Sequence, residues 1–380
     1  MNEQLLEKIK IWRRHLHTIP EIGFQEKKTA AYLYDELKNM GYHPEYITAT
    51  GIIVYLDFAG EKTLAFRSDI DALKITEKTG LSFCSQHEGY MHACGHDGHM
   101  SALLALAWKL KDVKSLPHNI LLIFQPGEEM TNGAPSIIAT GIFEKYRVQA
   151  IFGLHMFPDV EAGKIACRPG PLMAQSGELD VIVHGKSAHA GKYHEGIDSI
   201  VIASQLITQY QAIISRMTSP MQSVVINIGT IQGGTVRNIV ADKTSFHGTI
   251  RTYDENIFDQ IVKAMQGFNA GMEQAYGCQI EFSCQTFNPP VINDKNLYQQ
   301  LRRLCPDDFE ELEEPVMLAE DFSHYQKVLP GVFFFVGTKC KEYQSGLHTA
   351  SFQFHEEVLL KAVELYYQLA CHIELGEKEK

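Results

Sequence analysis

The chain has 380 residues, with 34 Lys and Arg against 46 Asp and Glu, which gives a formal net charge of −12. Because 380 residues exceed what one hydrophobic core usually organises, we expect about two domains. Hydrophobic residues make up 45% of the chain and charged residues 21%, a composition that excludes wholesale disorder. The acidic excess argues against nucleic acid or an anionic membrane surface as a partner, because both are bound through clustered Lys and Arg.

The sequence offers no membrane or export signal. Apolar runs stay below the roughly 18 residues of a membrane span, and the amphipathic first 17 residues lack the apolar centre of a signal peptide. We therefore expect a cytoplasmic protein. The 8 cysteines include no Cys-x-x-Cys pair, which favours free buried thiols over disulfides, with Cys94 as the exception treated below.

The first part of the chain has the pattern of an α/β domain. Apolar residues recur at three- and four-residue spacing in 4–17 and 25–40, which predicts two helices. Further along, short apolar runs alternate with helical stretches such as 101–111, a pattern typical of a largely parallel sheet. The runs predicted as strands are 52–58, 64–66, 120–124 and 150–154.

From about Gln175 the pattern changes to that of a smaller α+β domain. The order of predicted elements is β-α-β-β-α-β, as in a ferredoxin-like split βαβ fold. These elements are 179–184, 199–216, 223–231, 244–252, 256–276 and 279–285. After two prolines the α/β pattern resumes, with a helix at 298–304, a strand at 332–336 and a helix at 356–374. We therefore predict a catalytic domain formed by 1–175 and 289–380, interrupted by an inserted domain at 176–288.

The segment 91–99 is the strongest chemical signal. It places His92, Cys94, His96 and His99 close together in sequence. A thiolate and an imidazole two residues apart, around a glycine, can converge on one divalent ion. Asp97 or His99 could orient these ligands, and further ligands must come from elsewhere in the chain.

Other polar residues follow predicted strands. Glu128 and Glu129 are adjacent carboxylates after an apolar run and a Pro-Gly turn, so one can bind metal while the other acts as a base. Asp69, Asp71 and His155 also come at or after the ends of predicted strands, and ligands of open parallel sheets bind at that edge. His348 follows the strand at 332–336. Together these positions predict a metal site.

The order of motifs resembles the metal-dependent amidohydrolases that include aminoacylases, auxin-conjugate hydrolases and N-acetyldiaminopimelate deacetylase. The resemblance spans 13–355, nearly the whole chain. The motifs are Arg14-x-Leu-His17-x-x-Pro-Glu21, Arg67-Ser-Asp69-Ile-Asp71-Ala-Leu, His92-Ala-Cys94-Gly-His96-Asp97-x-His99, Gln125-Pro-x-Glu128-Glu129, Gly185-Lys-x-x-His189, Gly248-Thr-Ile-Arg251 and Glu320-Asp321-Phe322.

This resemblance implies two divalent metal ions, zinc or manganese, with cobalt or nickel as alternatives. It implies Glu128 as the general base and Asp69 as the acid that supports the site, with Asp71 as a rival because the Asp-x-Asp repeat allows either alignment. It also implies an inserted domain that closes over substrate and pairs with a second subunit. The metal ligands that it implies are Cys94, His96, Glu129, His155 and His348.

The resemblance further implies residues that contact the substrate, a small N-acyl amino acid. His189 and Asn238 correspond to groups that polarise the amide carbonyl or hold the substrate, and Arg251 corresponds to a clamp on a free carboxylate. Lys74 and Ala319 stand where the family usually has proline and glycine. These departures concern the identity of the substrate, and neither is one of the proposed metal ligands.

Three functions therefore stay open at this stage. The first is removal of an N-acyl group, N-acetyl above all, from an amino acid, with N-acetyldiaminopimelate among the candidates and a general N-acyl-amino-acid or small-peptide hydrolase as the alternative. The second is a non-catalytic metal-binding protein, which would need no spare base beside its ligands. The third is a thiol hydrolase that uses Cys94 as its nucleophile.

Overall fold

A computed structural model describes residues 2–130, 133–305 and 307–376. The chain divides into two compact units, each with its own hydrophobic core. The first unit comprises Met1–Leu172, Ile292–Pro315 and Asp321–Lys380. The second unit comprises Met173–Val291 and Val316–Glu320.

The helices and strands alternate along the chain. The α-helices are α1 (Asn2–Thr18), α2 (Lys27–Asn39), α3 (His96–Leu110), α4 (Gly133–Ile138), α5 (Ile142–Lys145), α6 (Ser199–Ala212), α7 (Glu255–Tyr276), α8 (Lys295–Leu304), α9 (Phe322–Gln326) and α10 (Val358–His372). The strands are β1 (Glu45–Tyr46), β2 (Ile52–Leu56), β3 (Thr63–Asp69), β4 (Asn119–Gln125), β5 (Val148–Glu161), β6 (Ile165–Cys167), β7 (Gly170–Met173), β8 (Gln175–His184), β9 (Val224–Gly233), β10 (Lys243–Thr252), β11 (Gln279–Asn288), β12 (Val291–Asn293), β13 (Phe309–Glu311) and β14 (Gly331–Lys339).

The large sheet of the first unit has the order β1-β2-β4-β3-β5-β14-β6-β13. Its centre, β4-β3-β5-β14, is parallel throughout, while β2 runs antiparallel to β4 and β14 runs antiparallel to β6. Strands in the centre of such a sheet are covered on both faces, and β3 and β4 are accordingly buried along their whole length. This confirms the predicted α/β layer with a mostly parallel sheet.

Helix α3 is the buried helix of this layer. It packs against α1, α10 and β3, and residues 102–107 are fully buried. A helix that is apolar on every face must lie inside a core, so the position of α3 is set by packing on several sides. Its first turn, which contains His96 and His99, is therefore held firmly beside the carboxyl end of β3.

The second unit is an antiparallel sheet of order β11-β8-β10-β9. The chain order β8-α6-β9-β10-α7-β11 is the predicted βαββαβ arrangement. Burial alternates along β8, since one face packs on α6 and α7 through a core that contains Val181, Leu206 and Phe246. The prediction of an α+β domain of ferredoxin-like topology is confirmed.

The sequence pattern located most elements but misjudged several ends. Strand β5 was predicted to end at 154, just before His155, yet it continues to Glu161 because Met156 and Phe157 stay paired with β14. His155 therefore lies inside a strand, opposite Phe335. Helix α3 begins at His96, five residues before the predicted start, and the helix predicted for 199–216 ends in a π-helical turn, Ile213–Met217.

Every helix among the described residues is too short or too polar to span a lipid bilayer.

Candidate metal centre

The Cys94-Gly95-His96 turn is the starting point of the site. Gly95 has φ = 90°, a left-handed conformation that glycine adopts readily. A Cβ atom at Gly95 would lie 3.2 Å from Cβ of Met156, so the close approach of β5 also requires glycine. This turn leads directly into α3 and places the sulfur of Cys94 and the ring of His96 on the same side.

His155 completes the first group of donors. The side-chain donor atoms of Cys94, His96 and His155 all lie within 4.8 Å of one another, and Cys94 Sγ is 3.2 Å from His155 Nε2. His155 Nδ1 lies 2.7 Å from the carbonyl oxygen of Met156, to which it donates. The Nε2 lone pair of His155 therefore points toward the sulfur, in the tautomer that a metal ligand requires.

His96 is held in the same way. Its Nδ1 lies 2.8 Å from the backbone carbonyl of Asp71 and donates to it. Its Nε2 is buried and has no hydrogen-bond partner in the structure. A buried polar atom without a partner is costly, so this nitrogen fits a site that a metal ion completes.

His348 and Glu129 form a second group around the same sulfur. His348 Nε2 lies 3.3 Å from Cys94 Sγ and 3.1 Å from Glu129 Oε1. His348 adopts φ = 58°, an uncommon conformation for a residue with a side chain, and its N–H donates to the carbonyl of Ala93 at 2.9 Å. Backbone strain of this kind is typical of functional sites, where the surroundings hold the residue in place.

Glu128 and Glu129 follow β4 through a tight turn. Gly127 has φ = 65°, and a Cβ there would lie 2.7 Å from the ring of Phe24. The turn directs both carboxylates toward His96, since donor atoms of the three residues lie within 4.8 Å of one another. The backbone N–H of Glu129 donates to Asp71 Oδ2 at 3.0 Å. Two carboxylates therefore lie beside one imidazole, an arrangement in which one carboxylate could bind a metal ion and the other could act as a base.

Asp69 and Asp71 both lie at the site but do different things. Asp69 Oδ1 accepts from His99 Nδ1 at 2.7 Å, and Asp69 Oδ2 accepts from Arg67 Nη1 at 2.9 Å. Asp71 instead fixes His96 and Glu129 through its backbone carbonyl and its carboxylate. The structure therefore gives each of the two rival residues a supporting position.

His99 uses both ring nitrogens within the protein. Nδ1 donates to Asp69, and Nε2 accepts from the backbone N–H of Met156 at 2.9 Å. The ring is thereby neutral and has no lone pair left for a metal ion. His99 instead fastens β5 beside His155, whose ring centroid is 4.6 Å away.

The sequence did not reveal the buried residues that hydrogen-bond to the site and hold its parts in place. Arg67 is fully buried, and besides Asp69 it donates to Asp321 Oδ1 at 2.8 Å and to Gln125 Oε1 at 2.8 Å. Glu26 is also buried, and its carboxylate accepts from the N–H of Gly127 at 2.9 Å. In the sequence, Arg67, Gln125 and Asp321 stand out only as parts of the family motifs, which give them no individual role.

The electrostatics of the group favour cation binding. Burial raises the pKa of the Cys94 thiol well above its ordinary value, and the charges of Glu129 and Glu128 raise it further. Burial lowers the pKa of His155 well below its ordinary value, so this imidazole is neutral. A dication would offset the carboxylate charge and favour the thiolate. The donor set of thiol, imidazoles and carboxylates fits divalent ions of the zinc type.

The remaining predicted residues belong to the second unit. His189 and Asn238 are neighbours there, because His189 pairs with Ile239 in a β-bridge and the N–H of Ala190 donates to the carbonyl of Asn238 at 3.0 Å. Arg251 lies on β10, and its Nη1 donates to the carbonyl of Met317 at 2.8 Å. The structure thus brings two of these three residues together within their own unit.

His17 supports the first turn of α3 from α1. It is buried, and its Nδ1 lies 2.9 Å from Asp97 Oδ2 while its Nε2 lies 3.2 Å from Glu77 Oε1. Burial alone would lower the pKa of His17, but the two carboxylates together raise it to about 9. The protonated ring therefore joins α1 to the turn that carries His96.

This ion pair predicts a loss of stability at alkaline pH. The pKa of His17 rises from 6.5 to about 9 on folding. The stabilisation that the protonated ring gives to the folded protein is therefore complete below pH 6.5 and is lost as the pH rises through about 9. The free energy of unfolding should fall by roughly 3 kcal/mol across this window. Urea unfolding of metal-free protein, followed by tryptophan fluorescence, measures the change.

The matched comparison for this prediction uses two histidine variants. His17→Gln should flatten the pH profile between 6.5 and 9, whereas the exposed His43→Gln should keep the wild-type slope. An equal slope in wild type and His17→Gln would show that the His17 ring is not charged in the folded protein.

Comparisons with known proteins show the family of the chain. A family model described as Peptidase family M20/M25/M40 matches residues 65–372. N-acetyldiaminopimelate deacetylase of Listeria monocytogenes is 38% identical over 361 residues, covering 93% of this chain and 96% of the relative. N-acetyl-L-cysteine deacetylase of Bacillus subtilis is 37% identical over 364 residues, covering 94% and 86%.

A solved structure gives the same result for the fold. A Bacillus subtilis protein described as a dinuclear metal-binding peptidase of the M20 family is 30% identical and superposes with a TM-score of 0.84. The alignment covers 97% of this chain and 98% of that chain.

Proposed function

Because the chain belongs to peptidase family M20/M25/M40 and is a metal-dependent amidohydrolase, we propose that it removes an N-acetyl group from an amino acid. The relatives named above act on N-acetyldiaminopimelate and N-acetyl-L-cysteine, which supports an N-acetyl amino acid as the substrate class. N-acetyldiaminopimelate is the first candidate, and the departures at Lys74 and Ala319 make a broader range of amino acids the alternative.

One observation carries this proposal. Glu128 is a largely buried carboxylate beside His96 and Glu129, so the ligand cluster has an additional acid next to it. A purely structural metal site is closed by its ligands and has no use for such a group. A hydrolase needs it, because a water molecule must lose a proton as it attacks the amide.

In the proposed reaction, one set of residues holds the metal ions and Glu128 moves the proton. Cys94, His96, Glu129, His155 and His348 would hold two divalent ions, which when bound polarise the scissile carbonyl and make water more acidic. Glu128 accepts the proton of the attacking water. It then delivers that proton to the amine nitrogen as the C–N bond breaks, so acetate and the free amine leave.

The supporting residues keep these groups in place. Asp71 orients the His96 ring, and His99 with Asp69 fastens the strand that carries His155. We assign zinc or manganese to the centre, with cobalt or nickel as alternatives. The thiol and imidazole ligands favour zinc, and the carboxylates suit manganese.

The second unit supplies the substrate contacts in this proposal. His189 and Asn238 hold or polarise the amide carbonyl, and Arg251 binds the free carboxylate of the amino acid. The antiparallel sheet ends in β9 and β11, and an exposed strand edge suits pairing with a second copy of the chain. We therefore include closure over substrate and homodimer formation among the roles of this unit.

A thiol nucleophile is the weaker alternative. Burial and the neighbouring carboxylates raise the pKa of Cys94 well above its ordinary value, whereas a reactive cysteine requires a lowered pKa. Loss of activity on chelation, with recovery when zinc or manganese is added back, distinguishes the two mechanisms.

A panel of N-acetyl amino acids tests the substrate class together with Arg251. Each compound is offered as the free acid and as the methyl ester, which removes the carboxylate charge. Replacing Arg251 by alanine should raise KM for the free acids by about 10–100-fold, because hydrogen bonds to charged groups contribute about 1.5–3 kcal/mol, and should leave the esters unchanged.

The control for this variant is Arg216→Ala, which removes an exposed arginine of the same unit. It should leave KM for both substrate forms unchanged. If Arg251→Ala affects acids and esters alike, Arg251 does not bind the carboxylate. If no N-acetyl amino acid is turned over by metal-loaded protein, the proposed substrate class is wrong.

A further inference from the structure

A second group of metal-ligand side chains lies outside the centre described above. Cys340 follows β14 directly, and His355 lies three residues before α10 begins. The side-chain donor atoms of Cys340, Glu342 and His355 all lie within 4.8 Å of one another. Glu342 Oε2 is 3.7 Å from His355 Nε2. The two ends of the 340–357 loop thus meet through three different donor groups.

The three donors match the chemistry of zinc. In a tetrahedral zinc site the metal–sulfur distance is about 2.3 Å and the metal–nitrogen distance about 2.0 Å, so neighbouring donors lie roughly 3.3–3.8 Å apart. Because the donor atoms lie within 4.8 Å of one another, zinc binding needs them to approach by about 1.5 Å at most. Because the side chains of Glu342 and His355 are 65% and 43% exposed, they can turn by this amount.

We propose that Cys340, Glu342 and His355 form a peripheral zinc site, with a water molecule as the fourth ligand. On binding, the thiol of Cys340 loses its proton to solvent and a zinc–sulfur bond forms. The ring of His355 lies beside that of Tyr343, with the two ring centroids 4.7 Å apart. The thiol of Cys340 donates to the backbone carbonyl of Tyr343 at 4.0 Å, a long contact that zinc binding would replace.

Zinc at Cys340, Glu342 and His355 would also affect the metal centre around Cys94, because the two sites share one loop. The loop between Cys340 and His355 carries His348. Its middle is fastened by the N–H of His348, which donates to Ala93 O, and by Ala350 O, which accepts from the N–H of Lys78 at 2.7 Å. Zinc at the peripheral site would join the two ends of this loop and restrict its motion. Occupancy would therefore stabilise the conformation in which His348 faces Cys94.

The proposal is tested by metal binding, independently of any substrate. Wild type, Cys340→Ser, His355→Gln and the control Cys371→Ser, which removes a half-buried cysteine on α10, are equilibrated in one zinc buffer. Zinc per chain is then measured by mass spectrometry of the metal. We expect wild type and Cys371→Ser to hold about one equivalent more than the other two variants.

Thiol alkylation gives the second measurement. Zinc should slow the reaction of Cys340 with iodoacetamide by at least about tenfold in wild type, because the metal-bound thiolate is shielded, and should have no effect on Cys340 in His355→Gln. Circular dichroism checks that each variant is folded. Equal zinc content in all four proteins, or equal alkylation of wild-type Cys340 with and without zinc, overturns the proposal.

Discussion

Replacing Glu128 by glutamine should abolish most of the turnover while leaving the metal content unchanged. Glutamine keeps the size and polarity of the side chain but cannot accept the proton of the attacking water. General acid–base groups contribute about 10²–10⁴-fold to rates, so we expect kcat to fall by that factor. Turnover of an N-acetyl amino acid and metal per chain are measured on the same preparation.

The adjacent Glu129→Gln is the matched control, because the two substitutions are chemically identical and one residue apart. Glu129 Oε1 lies 3.1 Å from His348 Nε2, and the donor atoms of Glu129, His348 and Cys94 all lie within 4.8 Å of one another. Its loss should therefore lower the metal content as well as the rate. If Glu128→Gln retains wild-type activity, the proton is moved by another group and the proposed mechanism fails. If both variants lose metal equally, Glu128 is a ligand and not the base.

The approximate position of the centre followed from the sequence because its residues come where predicted strands end. Asp69 ends β3, and Glu128 follows β4 after a Pro-Gly turn. Parallel strands bring such positions to one edge of a sheet, and the motif around Cys94 indicates a soft divalent metal. His155 was found for a partly wrong reason, since its strand continues well beyond it.

The hydrogen bonds from Arg67 to Asp69, Gln125 and Asp321 could not be predicted from the sequence in the same way. Arg67 lies within a buried strand, and Asp321 is 254 positions away in sequence. Contacts of this kind depend on the packing of β3, β4 and α9, for which spacing along the chain gives no signal. The role of His99 was also open, because only the structure shows that both of its ring nitrogens are already engaged.

Replacing Arg67 by methionine should destabilise the first unit strongly. The guanidinium is fully buried and donates from three different nitrogens to Gln125, Asp69 and Asp321. Methionine fills similar space but leaves two buried carboxylates without their cation. Removing one partner of a buried ion pair costs about 3–5 kcal/mol, and urea unfolding should show a loss of this size.

The measurement can be restricted to the relevant part of the chain. Both tryptophans, Trp12 and Trp108, belong to the first unit, so their fluorescence follows the unfolding of the unit that carries the centre. Unfolding in the presence of a chelator separates the loss of the ion network from any loss of metal binding.

Two further variants separate the geometry of Arg67 from its charge. Arg67→Lys keeps the charge, but a lysine ammonium cannot reach three acceptors at fixed angles. We therefore expect its free energy of unfolding to lie between that of wild type and that of Arg67→Met. Arg302→Met breaks an exposed pair with Glu311, whose side chains are 59% and 46% exposed, and should cost at most about 1 kcal/mol. If Arg67→Met costs no more than Arg302→Met, Asp69 and Asp321 do not depend on the guanidinium charge. In that case the His99–Asp69 contact, and through it the position of His155, must be maintained by packing alone.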